Sequence, residues 1–149
     1  MLERQVPWAA DHGQQQGTTQ PVLVVEDRPR VSWTVGYVCE FLDVPVKRVS
    51  SSENLSMLLD FLHPLAVICE LEGGIQDGYH IMKLVAAHKP ELPLLLVTGG
   101  DHALIGAADA IEEIWGLTSV FKVRNSPGPG EVVDFLFRFG RLETLLRKH

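Results

Sequence analysis

Residues 65–70 read Leu65-Ala66-Val67-Ile68-Cys69-Glu70, an apolar run that ends in a carboxylate. An earlier run, Val22-Leu23-Val24-Val25, ends in the same way with Glu26 and Asp27. Uninterrupted apolar runs are typical of strands buried on both faces, as in a parallel sheet. Because parallel strands end at a common edge, the sequence predicts acids gathered at the carboxyl edge, where open α/β folds place their sites.

The rest of the chain alternates predicted strands with predicted helices. Apolar residues at helical spacing follow each strand, and Ser52 is a plausible N-cap for the second helix. The predicted strands are 22–26, 45–50, 65–71, 94–98 and 118–123. Strict alternation of this kind builds a parallel sheet covered by helices on both faces, through right-handed crossovers.

Composition limits the class of protein. The chain has 149 residues, enough for one domain, with 46% hydrophobic and 21% charged residues. A net charge of -6 and the lack of a basic run argue against a nucleic-acid partner. No apolar stretch approaches the roughly 18 residues of a membrane span, and the N-terminus has no signal-peptide layout. We therefore expect a cytoplasmic protein without a membrane partner.

The two ends of the chain differ in character. Residues 1–20 are polar and lack periodicity, which predicts a flexible arm, and residues 21–149 form the predicted domain. Cys39 and Cys69 lie in apolar surroundings without CxxC spacing, which predicts buried, reduced thiols.

Four segments carry a resemblance to a known family. They are Leu23–Pro29, Glu70–Gly78, Leu96–Gly99 and Val120–Lys122. In order and spacing, the chain from about residue 20 resembles the CheY-like receiver domain of two-component response regulators. The resemblance implies a flavodoxin-like (βα)5 three-layer sandwich with a five-stranded parallel sheet in the order 2-1-3-4-5. It also implies an acid pair at Glu26 and Asp27, a phosphoacceptor position at residue 70, a switch hydroxyl at Thr98 and a switch cation at Lys122.

The chain departs from this family at the phosphoacceptor position. Receivers take a phosphoryl group on aspartate, whereas this chain has Glu70. The extra methylene moves the carboxylate by up to roughly 1.5 Å, and in-line attack tolerates little misplacement. We therefore expect no ordinary phosphorylation. Either Glu70 partly mimics the phosphorylated state and holds one conformation, or it is a tolerated acid at a strand end.

A second departure concerns the cation on strand five. Lys122 is followed by Val123 where receivers usually have proline. In an alternative register Arg124 takes the cation position and Phe121 the aromatic one. That register buries Lys122, which is costly unless the lysine is paired. We take Lys122 as the cation, and the register with Arg124 stays open.

The acids also predict a possible metal site. Glu26, Asp27 and Glu70, with a backbone carbonyl near Glu72, are the hard oxygen ligands that Mg²⁺ prefers. In the other interpretation Lys122 bridges the acids and leaves no room for metal.

The last helix predicts an interaction surface. Val133 and Phe137 fall off the stripe expected to face the sheet, and Trp115 ends the preceding helix. In receivers the face formed by helix four, strand five and helix five binds partners. The resemblance therefore implies a homodimer through this face, or contact with a histidine kinase or another signalling protein.

These observations lead to a functional hypothesis. We expect a stand-alone atypical receiver, not an enzyme, that acts by protein contact without normal aspartyl phosphorylation. The alternative is a working phosphorelay receiver that accepts phosphate at Glu70 or another acid in a Mg²⁺-dependent way. A flavin-binding protein is disfavoured because the loop 27–30 has no glycine to hold a phosphate.

Overall fold

The computed structural model describes residues 20–50, 54–70, 75–100 and 102–138. Nearly all of the predicted arm, residues 1–19, lies outside the described residues. The strands are β1 (Val22–Val25), β2 (Val46–Val49), β3 (Ala66–Glu70), β4 (Leu94–Val97) and β5 (Val120–Val123). The helices are α1 (Val31–Leu42), α2 (Leu55–Leu62), α3 (Ile75–His88), α4 (His102–Trp115) and α5 (Pro129–Arg138).

The strands form one parallel sheet in the order β2-β1-β3-β4-β5. This confirms the predicted flavodoxin-like order. The register pairs Val25 with Cys69, so Glu26 and Glu70 follow the paired ends of neighbouring strands. Glu70 is in turn level with Val97, and Val97 with Val123. The ends of β1, β3, β4 and β5 therefore share one edge of the sheet.

Two apolar clusters cover the two faces of the sheet. One contains buried residues of α1 and α5, and the other contains buried residues of α2, α3 and α4. The apolar strands have no exposed face, which explains why they show no alternation in the sequence. Cys39 lies in the first cluster and Cys69 in the second, and both are free. Burial raises the pKa of the Cys39 thiol to about 12. The predicted burial of both thiols is confirmed, and their reduced state stays a prediction.

The N-terminus of α2 differs from the prediction. The residue that caps α2 is Asn54 and not Ser52, because the Asn54 side chain accepts a hydrogen bond from the backbone N–H of Met57 at 3.1 Å. Helix α1 begins after Arg30, whose side chain makes no capping hydrogen bond. The first N–H groups of α1 therefore need an acceptor from elsewhere. Over the described part of the chain, no helix has the length and apolarity to cross a membrane.

Candidate functional site

Glu26 supplies the missing acceptor for α1. Its side chain is 1% exposed and accepts hydrogen bonds from three backbone N–H groups in the first turn of that helix. The distances are 3.1 Å from Arg30, 2.9 Å from Val31 and 3.3 Å from Ser32. A carboxylate at a helix N-terminus is stabilised by the free N–H groups and by the helix dipole. Glu26 thus anchors the start of α1 to the end of β1.

Arg48 completes the environment of this buried carboxylate. It extends from β2, the neighbour of β1, and its Nε lies 3.1 Å from Oε2 of Glu26. The Arg48 side chain is 27% exposed and also donates to the backbone carbonyl of Asp27 at 3.3 Å. A buried charge persists when it is paired and its remaining oxygens are hydrogen-bonded, and Glu26 meets both conditions.

Glu70, the predicted phosphoacceptor equivalent, is also paired with an arginine. Its carboxylate, 10% exposed at the end of β3, forms an ion pair with the guanidinium of Arg30. The backbone of Arg30 donates to Glu26, so this one residue connects the acids that follow β1 and β3. The repulsion expected between clustered carboxylates is offset here by arginines.

The predicted magnesium ligands that the structure describes have other partners in this arrangement. Over the part of the chain that the structure describes, no group of three or more histidine, cysteine or acidic side chains is placed to hold a metal ion. Glu26 is committed to backbone N–H groups and Arg48, and Glu70 is committed to Arg30. Asp27 is exposed, and Glu72 lies outside the described residues. The donor set does not fit Mg²⁺ unless these pairs separate.

The side chain of Lys122 faces α4, whereas the predicted switch cation lies at the carboxyl edge of the sheet. Its ammonium pairs with two acids of α4, Asp109 at 3.1 Å and Glu112. Partial burial lowers the pKa of Lys122, but the hydrogen bonds and charges of these acids outweigh it, so the pKa lies above the ordinary 10.5. The structure therefore does not bring Lys122 to Glu70, and its role as a switch cation stays a prediction.

Arg124 is the cation of the alternative register. With Arg30 and Glu70 it lines a cleft of about 540 Å³ at the carboxyl edge of the sheet. The side chain of Arg124 lies over Gly100, which has a φ of +78°, and a Cβ on Gly100 would come within 2.9 Å of its Nε. The objection to this register was the cost of burying Lys122, and the two acids of α4 remove it.

Thr98, the predicted switch hydroxyl, is buried next to this cleft. Its Oγ1 donates to the backbone carbonyl of Val123 at 3.2 Å and accepts from the backbone N–H of Gly100 at 3.3 Å. These bonds continue the pairing of β4 and β5 beyond the strand ends. The partners of the Thr98 hydroxyl are therefore backbone groups of Val123 and Gly100.

The predicted contact residues are less available than expected. Trp115, Val133 and Phe137 are all partly buried and pack against the chain's own apolar clusters. Helix α1 instead carries three exposed aromatic residues at a spacing of four, namely Trp33, Tyr37 and Phe41, which are 60%, 69% and 88% exposed. The sequence predicted no contact role for these residues. A signal was present, because helical spacing places them on the face of α1 opposite the apolar residues Val31 and Val35. We call these three residues the α1 aromatic stripe.

Comparisons with solved structures agree with this architecture. A CheY-like response regulator receiver domain protein from Methanospirillum hungatei JF-1 matches 89% of this chain and 100% of its own, with a TM-score of 0.61 and 12% identity. The fold is that of a response regulator receiver domain. A putative response regulator from Chloroflexus aurantiacus matches 85% of this chain and 99% of its own, with a TM-score of 0.57 and 23% identity.

NtrX from Brucella abortus matches 88% of this chain over 29% of its own length, with a TM-score of 0.62 and 18% identity. No family model and no curated protein sequence matches the chain. At these identities the comparisons establish the receiver fold, and the chemistry of the site has to be argued from its residues.

Proposed function

We propose that this chain is an atypical receiver-fold signalling protein that acts by protein contact without aspartyl phosphorylation. The observation that carries the proposal is the ion pair between Glu70 and Arg30 at the phosphoacceptor position. The carboxylate there is already neutralised by a cation of the chain itself. It is neither a free nucleophile nor a ligand awaiting Mg²⁺.

Glu26 supports the same conclusion. In a receiver the acids after the first strand hold the metal that the phosphoryl transfer requires. Here Glu26 uses its oxygens to start α1 and to neutralise Arg48. Release of Glu26 to a metal would leave buried N–H groups without an acceptor, at a cost of about 1–3 kcal/mol for each unsatisfied group. The ion pairs of Glu26 with Arg48 and of Glu70 with Arg30 thus take the place of Mg²⁺, and the site holds one conformation without a signal.

This proposal predicts that acetyl phosphate with Mg²⁺ leaves the chain unlabelled. Phosphoryl incorporation is measured by intact-protein mass spectrometry, with a receiver that has aspartate at the acceptor position as the positive control. A hydroxylamine-sensitive adduct on this chain would contradict the proposal and favour phosphorelay at Glu70 or another acid. A Glu70→Gln variant then identifies the acceptor, because loss of the adduct in this variant assigns it to Glu70.

The surface for protein contact is a separate part of the proposal. The sequence predicted a homodimer through α4, β5 and α5, but α1 carries three of the four exposed Trp, Tyr and Phe residues in the described part of the chain, the fourth being Phe61 of α2. Two copies of the α1 aromatic stripe, packed antiparallel, would form a self-complementary contact of the kind that dimers with two-fold symmetry use. Exposed aromatic side chains gain the most from such burial. We therefore propose that a second copy of the chain covers the stripe.

We expect Phe41→Asp to shift the chain from dimer to monomer in sedimentation velocity runs over a range of concentrations. The matched control is Ile114→Asp, which places the same charge on an apolar residue of α4 that is 72% exposed. If Ile114→Asp dissociates the dimer and Phe41→Asp does not, the contact lies on α4 and not on the α1 aromatic stripe. A parent chain that is monomeric at every concentration contradicts self-association through either surface.

A further inference from the structure

The cleft at the carboxyl edge has the size and position of a ligand site. It lies beyond the ends of β3, β4 and β5, where open α/β sheets bind their ligands, and its volume of about 540 Å³ is in the range of small-molecule pockets. Its walls are held in place by the backbone, because Gly99 donates its N–H to the carbonyl of Arg124 at 2.8 Å.

The charges that line this cleft favour an anion. Arg30 and Arg124 bring two guanidinium groups, and Glu70 brings one carboxylate that is paired with Arg30. Across the described ranges of the chain, Arg124 forms no ion pair. Asn125 and Ser126, both exposed, add neutral hydrogen-bonding groups to the same wall. Among the described residues that line the cleft, positive charges and hydrogen-bond donors are therefore in excess.

From this arrangement we infer that the cleft binds a small ligand with a phosphate group, without a covalent bond, between Arg124 and Arg30. The planar fork of a guanidinium matches two oxygens of a tetrahedral oxyanion. Arg124 supplies a guanidinium fork that has no carboxylate partner among the described residues, and Asn125 and Ser126 lie beside it. The ligand competes with the Glu70 carboxylate for Arg30. This site adds a small-molecule input to the contact function and does not depend on it.

Competition with Glu70 gives the inference a specific signature. Glu70→Gln removes the negative charge that competes with the ligand for Arg30, so this variant is expected to bind phosphate several-fold more tightly. Arg124→Met removes a charge-assisted hydrogen-bonding group, so it is expected to weaken binding by roughly tenfold or more. Arg138→Met is the matched control, because Arg138 is an exposed arginine of α5 that pairs with Asp134 and does not line the cleft.

The experiment is a titration of isotope-labelled protein, followed by the backbone amide signals of Gly99, Arg124 and Ser126. Inorganic phosphate and glycerol phosphate are the two probes, and sodium chloride at equal ionic strength is the reference. We expect saturable shifts that reverse on dialysis, in the parent and in Arg138→Met. Tighter binding of glycerol phosphate assigns the site to phosphomonoesters, and equal binding assigns it to phosphate itself.

Two results overturn the inference. One is the absence of a saturable shift with either probe, and the other is an unchanged affinity in Arg124→Met. Thermal unfolding of each variant shows that it is folded, which is expected since Arg124 is exposed. Neither result bears on the acetyl phosphate experiment, because that experiment measures a covalent adduct.

Discussion

Glu26→Ala is expected to lower the free energy of unfolding by about 3–5 kcal/mol, the usual effect of removing one partner from a buried ion pair. The substitution removes the acceptor of three N–H groups at the start of α1 and leaves Arg48 without its carboxylate. In a domain of this size each kcal/mol corresponds to roughly 2–4 °C in the midpoint of thermal unfolding. The measurement is unfolding in guanidinium chloride, with the midpoint and slope fitted for each variant.

A matched control separates this effect from the loss of a charge on the protein. Glu40→Ala makes the same substitution at an exposed position of α1 and is expected to change stability by less than about 0.5 kcal/mol. Arg48→Met tests the pairing, because it should destabilise the parent more than it destabilises Glu26→Ala. Equal losses in Glu26→Ala and Glu40→Ala would show that Glu26 does not anchor α1. The acids at the sheet edge would then be free to bind metal.

The fold was predictable because the strands carry a strong and simple signal. Four of the five strands are apolar over nearly their whole length, and each is followed by a segment with helical spacing. β2 is the exception, since Lys47 and Arg48 interrupt it, and it lies at the edge of the sheet, where such residues reach solvent. The order of the strands required the resemblance to the receiver family, because alternation alone fits several doubly wound sheets.

The site was predictable in position but not in its pairings. The sequence placed Glu26 and Glu70 at one edge, and the structure agrees. It did not reveal that Glu26 turns back to cap α1. A signal was present, because no serine, threonine, aspartate or asparagine directly precedes α1, so its N–H groups need a more distant acceptor.

The predicted place of the Lys122 side chain differs from the observed one for a related reason. Side chains alternate along a strand, so Lys122 and Phe121 must face opposite sides of the sheet. The cost of burying a lysine argued against placing it under a helix. That cost is removed by Asp109 and Glu112, three residues apart on one face of α4. Ion pairs between distant segments depend on how α4 packs against β5. Sequence spacing alone does not show this packing.

Phe135→Ala is expected to lower the free energy of unfolding by about 3–5 kcal/mol, the range for truncation of a large aromatic side chain in a core. Phe135 is fully buried in the cluster that joins α5 to α1 and the sheet. Its ring stacks on Phe121 of β5, with centroids 6.2 Å apart and planes inclined by 19°. The cavity would therefore open between α5 and β5, and unfolding in guanidinium chloride measures the loss.

Phe137→Ala is the matched control for the same helix. Phe137 is only partly buried against this cluster, so the same truncation should cost markedly less. The hydrophobic contribution follows the apolar area removed from water, at about 25 cal/mol per Å², and a side chain that is already partly solvated has less to lose. Equal losses for the two variants would show that Phe137 belongs to the core. The apolar residues of α5 would then be explained by docking on the sheet, and the face of α4, β5 and α5 would lose its main candidate for a partner contact.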